Sequence, residues 1–247
     1  MAGELRVPVD GLSLGPLTLP EDTGRYVVRV HRKSKGDRLQ VFDPQQELLG
    51  EAVLVQDRLP AIELCVEHCA AAPSRDMALH LYQGLGKADK PEQAVRDATA
   101  FGAAAITLVQ TERSVARAQG DERRERLRRV ALAVARQCER VSLPSIIGPL
   151  PLSDIKMSSH QSGLRLVCAW HAQAEPLLSC LLQLGPTQRC EIFVGPEGGL
   201  SELELDHLMV RGFRPVSLGP YVLRTENACS AVLATARAVW ASREAGV

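Results

Sequence analysis

The sequence predicts a two-domain α/β chain, with a small β-rich domain over residues 1–70 and an α/β domain over 74–247. Three observations predict it. Up to about residue 70, short apolar runs are broken by turn signals such as Lys35-Gly36-Asp37 and Asp43-Pro44. Beyond that, short apolar runs alternate with segments of helical period, the pattern of a parallel sheet covered on both faces. Two loops rich in glycine and proline, Gly195–Gly199 and Leu218–Thr225, each follow such a run and lead into a helix-like segment, the place where open α/β sheets bind ligands.

The expected strands of the first domain are Tyr26–Val30, Leu39–Phe42, Ala52–Val55 and Ile62–Val66. Ala70–Arg75, small and turn-prone, is the expected linker. A strand follows at Ala78–Tyr82, then a helix at Pro91–Phe101 with Asp89 near its start and Gly102 placed to end it, then a strand at Ala104–Val109. Asp121–Arg140 gives the clearest helical pattern. Leu127, Val130, Ala131, Val134, Ala135 and Cys138 fall on one stripe of 3.6-residue period. Leu164–Ala169 and Cys190–Val194 are further strands. Ser201 and Glu204 form a capping box that opens a helix through Arg211, stopped by Gly212. A short strand at Pro215–Leu218 and an alanine-rich helix at Asn227–Ser242 complete the pattern.

At 247 residues the chain has room for a substantial core, and 45% hydrophobic with 23% charged residues is ordinary for a globular protein. No apolar run approaches the roughly 18 residues of a membrane helix, and the first residues lack the apolar core of a secretory signal. Seven scattered cysteines without a CxxC favour reduced thiols and a cytoplasmic setting. A net charge of zero means that any nucleic-acid site is a local patch. Cys65, His68 and Cys69 lack the spacing and fourth ligand of a metal site, so no metal is expected. GPEGG lacks the GxGxxG spacing of dinucleotide folds, and no GKS or GKT occurs.

FVGPEGGLSELEL over 193–205, followed by VSLGPYVLRTENA over 216–228, resembles the C-terminal signature of the bacterial 16S ribosomal RNA uridine-N3 methyltransferases, of the SPOUT superfamily. The resemblance implies a C-terminal SPOUT-type α/β domain with a trefoil knot and an N-terminal PUA-like β-barrel that binds RNA. It implies S-adenosylmethionine as cofactor, 16S rRNA of the small ribosomal subunit as substrate, and a homodimer. Gly195, Glu197, Gly198 and Gly199 would form one cofactor loop, and Leu218, Gly219, Leu223, Arg224 and Thr225 a second. A third would follow Leu164–Ala169, at Trp170-His171.

Attack by a uridine nitrogen needs its proton removed or the developing anion stabilised. Arg224 is the candidate to stabilise the uridine oxygens, and Glu226 to accept a proton or orient Arg224. The two also suit a plain ion pair at a helix start. Arg25, Arg29, Arg32, Lys33, Lys35 and Arg38, with Arg6, form one candidate RNA-contact region, and the helix from Arg123 to Arg140, preceded by Arg113 of the family-like TERSV segment, a second; for the first, a solvated charged face would read the same way. The chain departs from the family at Val9, Arg136, Tyr221, Asn227 and across 94–102, which keeps open another target base, or an RNA-binding assembly protein without catalysis.

Overall fold

The computed structural model describes residues 5–72, 76–87, 89–114, 121–155, 163–185 and 189–245. The chain divides into two units, one of residues 1–75 with 135–143 and one of 76–134 with 144–247.

In the first unit, strands β1 (Arg6–Pro8), β2 (Gly15–Leu19), β3 (Arg38–Asp43), β4 (Leu48–Gln56) and β5 (Ile62–Ala71) form a sheet in the order β1-β3-β4-β5-β2. β1 runs parallel to β3 and the other pairs are antiparallel. The outer strands β1 and β2 do not pair with each other, so among the described residues the sheet is open rather than a closed barrel. Its core gathers Val7, Val41, Leu54, Ile62 and Leu64, and the family-departing Val9 is buried there too.

The expected strand at Tyr26–Val30 is helical. Helix α1 (Glu21–Arg25) continues into a π-helical turn over Tyr26–Val30. Three valines favour a strand, but tertiary packing overrides that preference. Gly24 and Val27 are buried and Val28 is half-buried, three and four residues apart on one helical face. Gly24 lies so close to the sheet that a Cβ there would meet Cγ1 of Ile62 at 2.7 Å. The expected linker at 70–75 is also corrected, because β5 runs through Ala71, which pairs with Leu48. Residues 73–75 lie outside the described residues.

The second unit carries β6 (Met77–Gly84), α2 (Lys90–Phe101), β7 (Ala103–Gln110), α3 (Asp121–Gln137), β8 (Ser145–Pro151), β9 (Leu164–Cys168), β10 (Glu175–Pro176), α4 (Leu177–Leu182), β11 (Cys190–Val194), α5 (Glu202–Val210), β12 (Arg214–Ser217) and α6 (Thr225–Glu244); the last residues of α3 belong to the first unit. The strands form one sheet in the order β10-β12-β9-β11-β6-β7-β8, with every pairing parallel. β11, late in sequence, lies between β9 and the first strand of the unit, β6. Tyr82, Phe193 and Phe213 pack together at ring separations of 6.2–6.5 Å beside the sheet. Arg165 of β9 and the buried Glu191 of β11 form an ion pair at 2.7 Å.

The unpredicted β8 is Pro- and Gly-bearing, which the edge position permits. The helix expected to reach Arg140 stops at Gln137; Cys138 is exposed and Glu139 turns left-handed at φ 60°. The capping box at Ser201 and Glu204 is present in full.

Candidate active site

The carboxyl ends of β9, β11 and β12 lie side by side, and the loops that leave them enclose a cavity of about 720 Å³. Of the expected cofactor residues, Gly195, Glu197, Gly199, Leu218, Gly219, Leu223, Arg224 and Thr225 all line it. Gly198 does not; it lies against Arg113, whose guanidinium donates to the Gly198 carbonyl at 3.0 Å. Gly219 has a φ of 121°, open to glycine alone without strain. Trp170 lines the cavity as well, whereas His171 is not part of its wall.

Polar ties fix this arrangement. Thr225 Oγ1 donates to the Gly195 carbonyl at 2.6 Å and accepts from the Gln83 side-chain amide at 3.1 Å. One hydroxyl thereby joins the end of β6, the loop after β11 and the start of α6. Gly84 allows that approach, since a Cβ there would meet the Pro196 nitrogen at 2.5 Å. The Glu204 carboxylate closes the capping box and also accepts from the Glu112 backbone at 2.7 Å, fastening the Thr111–Arg113 segment to the start of α5.

Two carboxylates face the cavity. Glu197 accepts from the Lys87 backbone at 3.2 Å. Glu226 is hydrogen-bonded and ion-paired to Lys90, the first residue of α2. Lys90 therefore holds the Glu226 carboxyl below its ordinary range, helped by its own backbone amide and by the charge of Arg224. The second Glu226 oxygen is buried and lacks a partner among the described residues. To the two roles expected for Glu226, proton acceptor or partner of Arg224, the structure adds a third tie, the ion pair with Lys90. Arg224 caps α6 with its side chain exposed. Lys90 and Gln83 were not anticipated. A lysine in the first turn of a helix stands against the helix dipole, and that signal could have prompted a search for its carboxylate. Burial pushes the Cys168 thiol of the cavity wall up to about 12, which leaves it unreactive near pH 7.

The expected RNA contacts are scattered. Arg29, Arg32 and Lys35 are exposed and Lys33 is half-buried. Arg25 pairs with Glu21. Arg6 is only 6% exposed and lies over the Phe42 ring at 5.2 Å, so little of its guanidinium is open to a phosphate. Arg136, where the family differs, stacks on the Tyr26 ring at 4.1 Å. Among the described residues no group of histidine, cysteine and acidic side chains is placed to hold a metal, and no helix is long and apolar enough to cross a membrane.

A family profile described as an RNA methyltransferase domain matches residues 73–237, two thirds of the chain. The chain belongs to this family. It is 28% identical over 242 residues to the ribosomal RNA small subunit methyltransferase E of Synechocystis, covering 97% of this chain and 78% of that one. It is 26% identical to the Bacillus subtilis protein of the same name, covering 82% of each. The fold matches the crystal structure of the Neisseria gonorrhoeae ribosomal RNA small subunit methyltransferase E bound to S-adenosyl methionine, with a TM-score of 0.84 at 24% identity, over 96% of this chain and 98% of that one.

Proposed function

We propose that this RNA methyltransferase-family chain transfers a methyl group from S-adenosylmethionine to N3 of a uridine in 16S rRNA. The observation that carries the reading is the meeting of both glycine-rich loops in one cleft at the carboxyl end of the sheet. The residues fit the cofactor. Two turns whose glycines keep Cβ atoms out of the way offer backbone groups to an adenosine. The Glu197 carboxylate offers an acceptor to hydroxyl or ammonium groups. When bound, S-adenosylmethionine supplies an already electrophilic methyl, so the protein's share is position and electrostatics.

Arg224 stands exposed at the cleft with its charge free for the oxygens flanking N3, where negative charge grows as the proton leaves. Glu226, paired with Lys90, stands anionic beside Arg224. The knot expected of the C-terminal domain and a PUA-like, RNA-binding role for the first unit belong to this reading, as does action in the cytoplasm. So does a homodimer: Trp170, Tyr221 and Val222 are 77–84% exposed at the cleft, a small apolar area that a second copy would cover.

Calorimetric titration with S-adenosylmethionine tests the reading, followed by mapping of the methylated nucleotide in unmodified 16S rRNA. Gly198→Val drives a side chain into Arg113, whose Cβ would lie 2.9 Å from the new one, and is expected to abolish cofactor binding. Arg224→Ala is expected to lower kcat by about 100- to 1000-fold with cofactor affinity retained. A well-folded wild type that binds no cofactor, alone or with RNA, would sink the proposal.

A further inference from the structure

Outside the cleft, α2 and α3 form a second recess, of about 400 Å³, lined by Arg96, Arg126, Arg129, Val130, Ala133 and Val134. Its rim is cationic and its floor is apolar. The three arginines and Ala133 are exposed, and the two valines are half-buried. Arg126 is already answered by Glu92, at 2.9 Å. Among the described residues Arg96 and Arg129 have no carboxylate within ion-pairing distance. Two unanswered guanidinium groups thus flank a strip of small apolar side chains in a chain whose net charge is zero, so the charge is local and not a reflection of bulk composition.

We propose that this recess is a second RNA-binding site, which holds a single-stranded segment of the substrate by two phosphates. It rests on the reading that the chain acts on RNA and adds a contact surface apart from the cofactor cleft. Arg96 and Arg129 take the phosphates, as forked donors suited to phosphate oxygens. Val130, Ala133 and Val134 take the face of a ribose or an unstacked base, a division of labour general to single-stranded RNA sites. A second copy of the chain is a poorer occupant: an interface about a two-fold axis would set the same arginines against each other. Charge complementarity favours an anion, and the apolar floor favours a nucleotide over a free phosphate.

The test uses the full-length protein with a 16S rRNA transcript in filter binding at several salt concentrations. R96Q/R129Q is expected to weaken binding about tenfold or more and to lower the slope of log affinity against log salt by roughly two. Cofactor titration of the same variant is expected to match the wild type, which separates this site from the cleft. Ala133→Glu places a carboxylate on the floor at an exposed helix position and is expected to weaken RNA binding similarly; it decides the matter should the double variant prove poorly folded. Unchanged RNA affinity and slope in a folded variant would overturn the proposal, and a recess that docks a protein gives that result. Loss of methylation with normal RNA binding in the variants would also overturn it. Failure of the methyltransferase reading shows separately, as a wild type that binds RNA but no cofactor.

Discussion

The charged groups of the cleft and those of the first unit's helical turn live in different ways. At the cleft, Glu226 is bound to Lys90, Glu197 to the Lys87 backbone, Glu204 to Glu112, and Thr225 to both Gly195 and Gln83. On the first unit, Arg29 and Arg32 stand in solvent with no ion pair among the described residues. Tied groups cost nothing to reorganise when a ligand arrives, and they suit a site where charge develops. Free cations suit a polyanion, which they attract at long range and hold through released counterions. On the proposed reading, one region works by geometry and the other by attraction.

The largest effect is expected where the ties run under the sheet that carries the cleft. Glu191 is almost wholly buried and faces Arg165 across β9 and β11. Glu191→Ala leaves the guanidinium, about a fifth exposed, without its carboxylate. A loss of about 3 kcal/mol in chemical denaturation is expected. A loss under about 1 kcal/mol would mean that solvent reaches Arg165, and that the sheet end is less fixed than its hydrogen bonds suggest. Thr225→Val comes next. It keeps the shape but strips the hydroxyl from the Gly195 carbonyl and the Gln83 amide, at an expected cost of about 1–3 kcal/mol. Weaker cofactor binding should accompany it, because the first loop then loses its tie to the start of α6.

A smaller effect of defined sign belongs to His80. It stacks on Tyr82 at 4.2 Å, shares a hydrogen bond with Thr107 at 2.8 Å, and burial lowers its pKa. A histidine whose folded pKa is lowered binds fewer protons folded than unfolded. Stability is therefore full above its unfolded value, roughly 6.5, and falls as pH drops from there towards the folded pKa. The wild type should lose stability between pH 7 and 5 by urea denaturation, and His80→Gln should flatten that decline. An unchanged decline would assign it to other groups.

The difference between the regions also explains what was legible in the sequence. Gly195–Gly199 and Leu218–Thr225 could be read because glycine and proline impose local geometry, and because both loops follow strands of one sheet. The capping box at Ser201 was legible for the same local reason. Arg6 and Tyr26–Val30 could not be read so directly. Whether an arginine faces solvent or Phe42, and whether three valines pair as a strand or pack as a helix on Ile62, depends on residues distant in sequence. Lys90 was hidden because its partner Glu226 lies 136 residues away.

The smallest effect sharpens the contrast within the first unit itself. Arg38 sits in the same basic run as Arg29 and Arg32, but it is tied to Glu67 at 2.5 Å and lies 3.6 Å from Glu51. Its charge is already answered, and an exposed pair of this kind contributes at most about 1 kcal/mol to stability. Arg38→Gln should leave both RNA affinity and its salt dependence close to the wild type. Arg29→Gln and Arg32→Gln should each weaken binding and lower the salt slope by roughly one. If Arg38→Gln lowered the slope as much as the other two, the carboxylates would have to give way when RNA binds, and the line between tied and free charges would not govern this surface. If none of the three changed it, the basic run would be a solvated face and the RNA contacts would lie elsewhere on the chain.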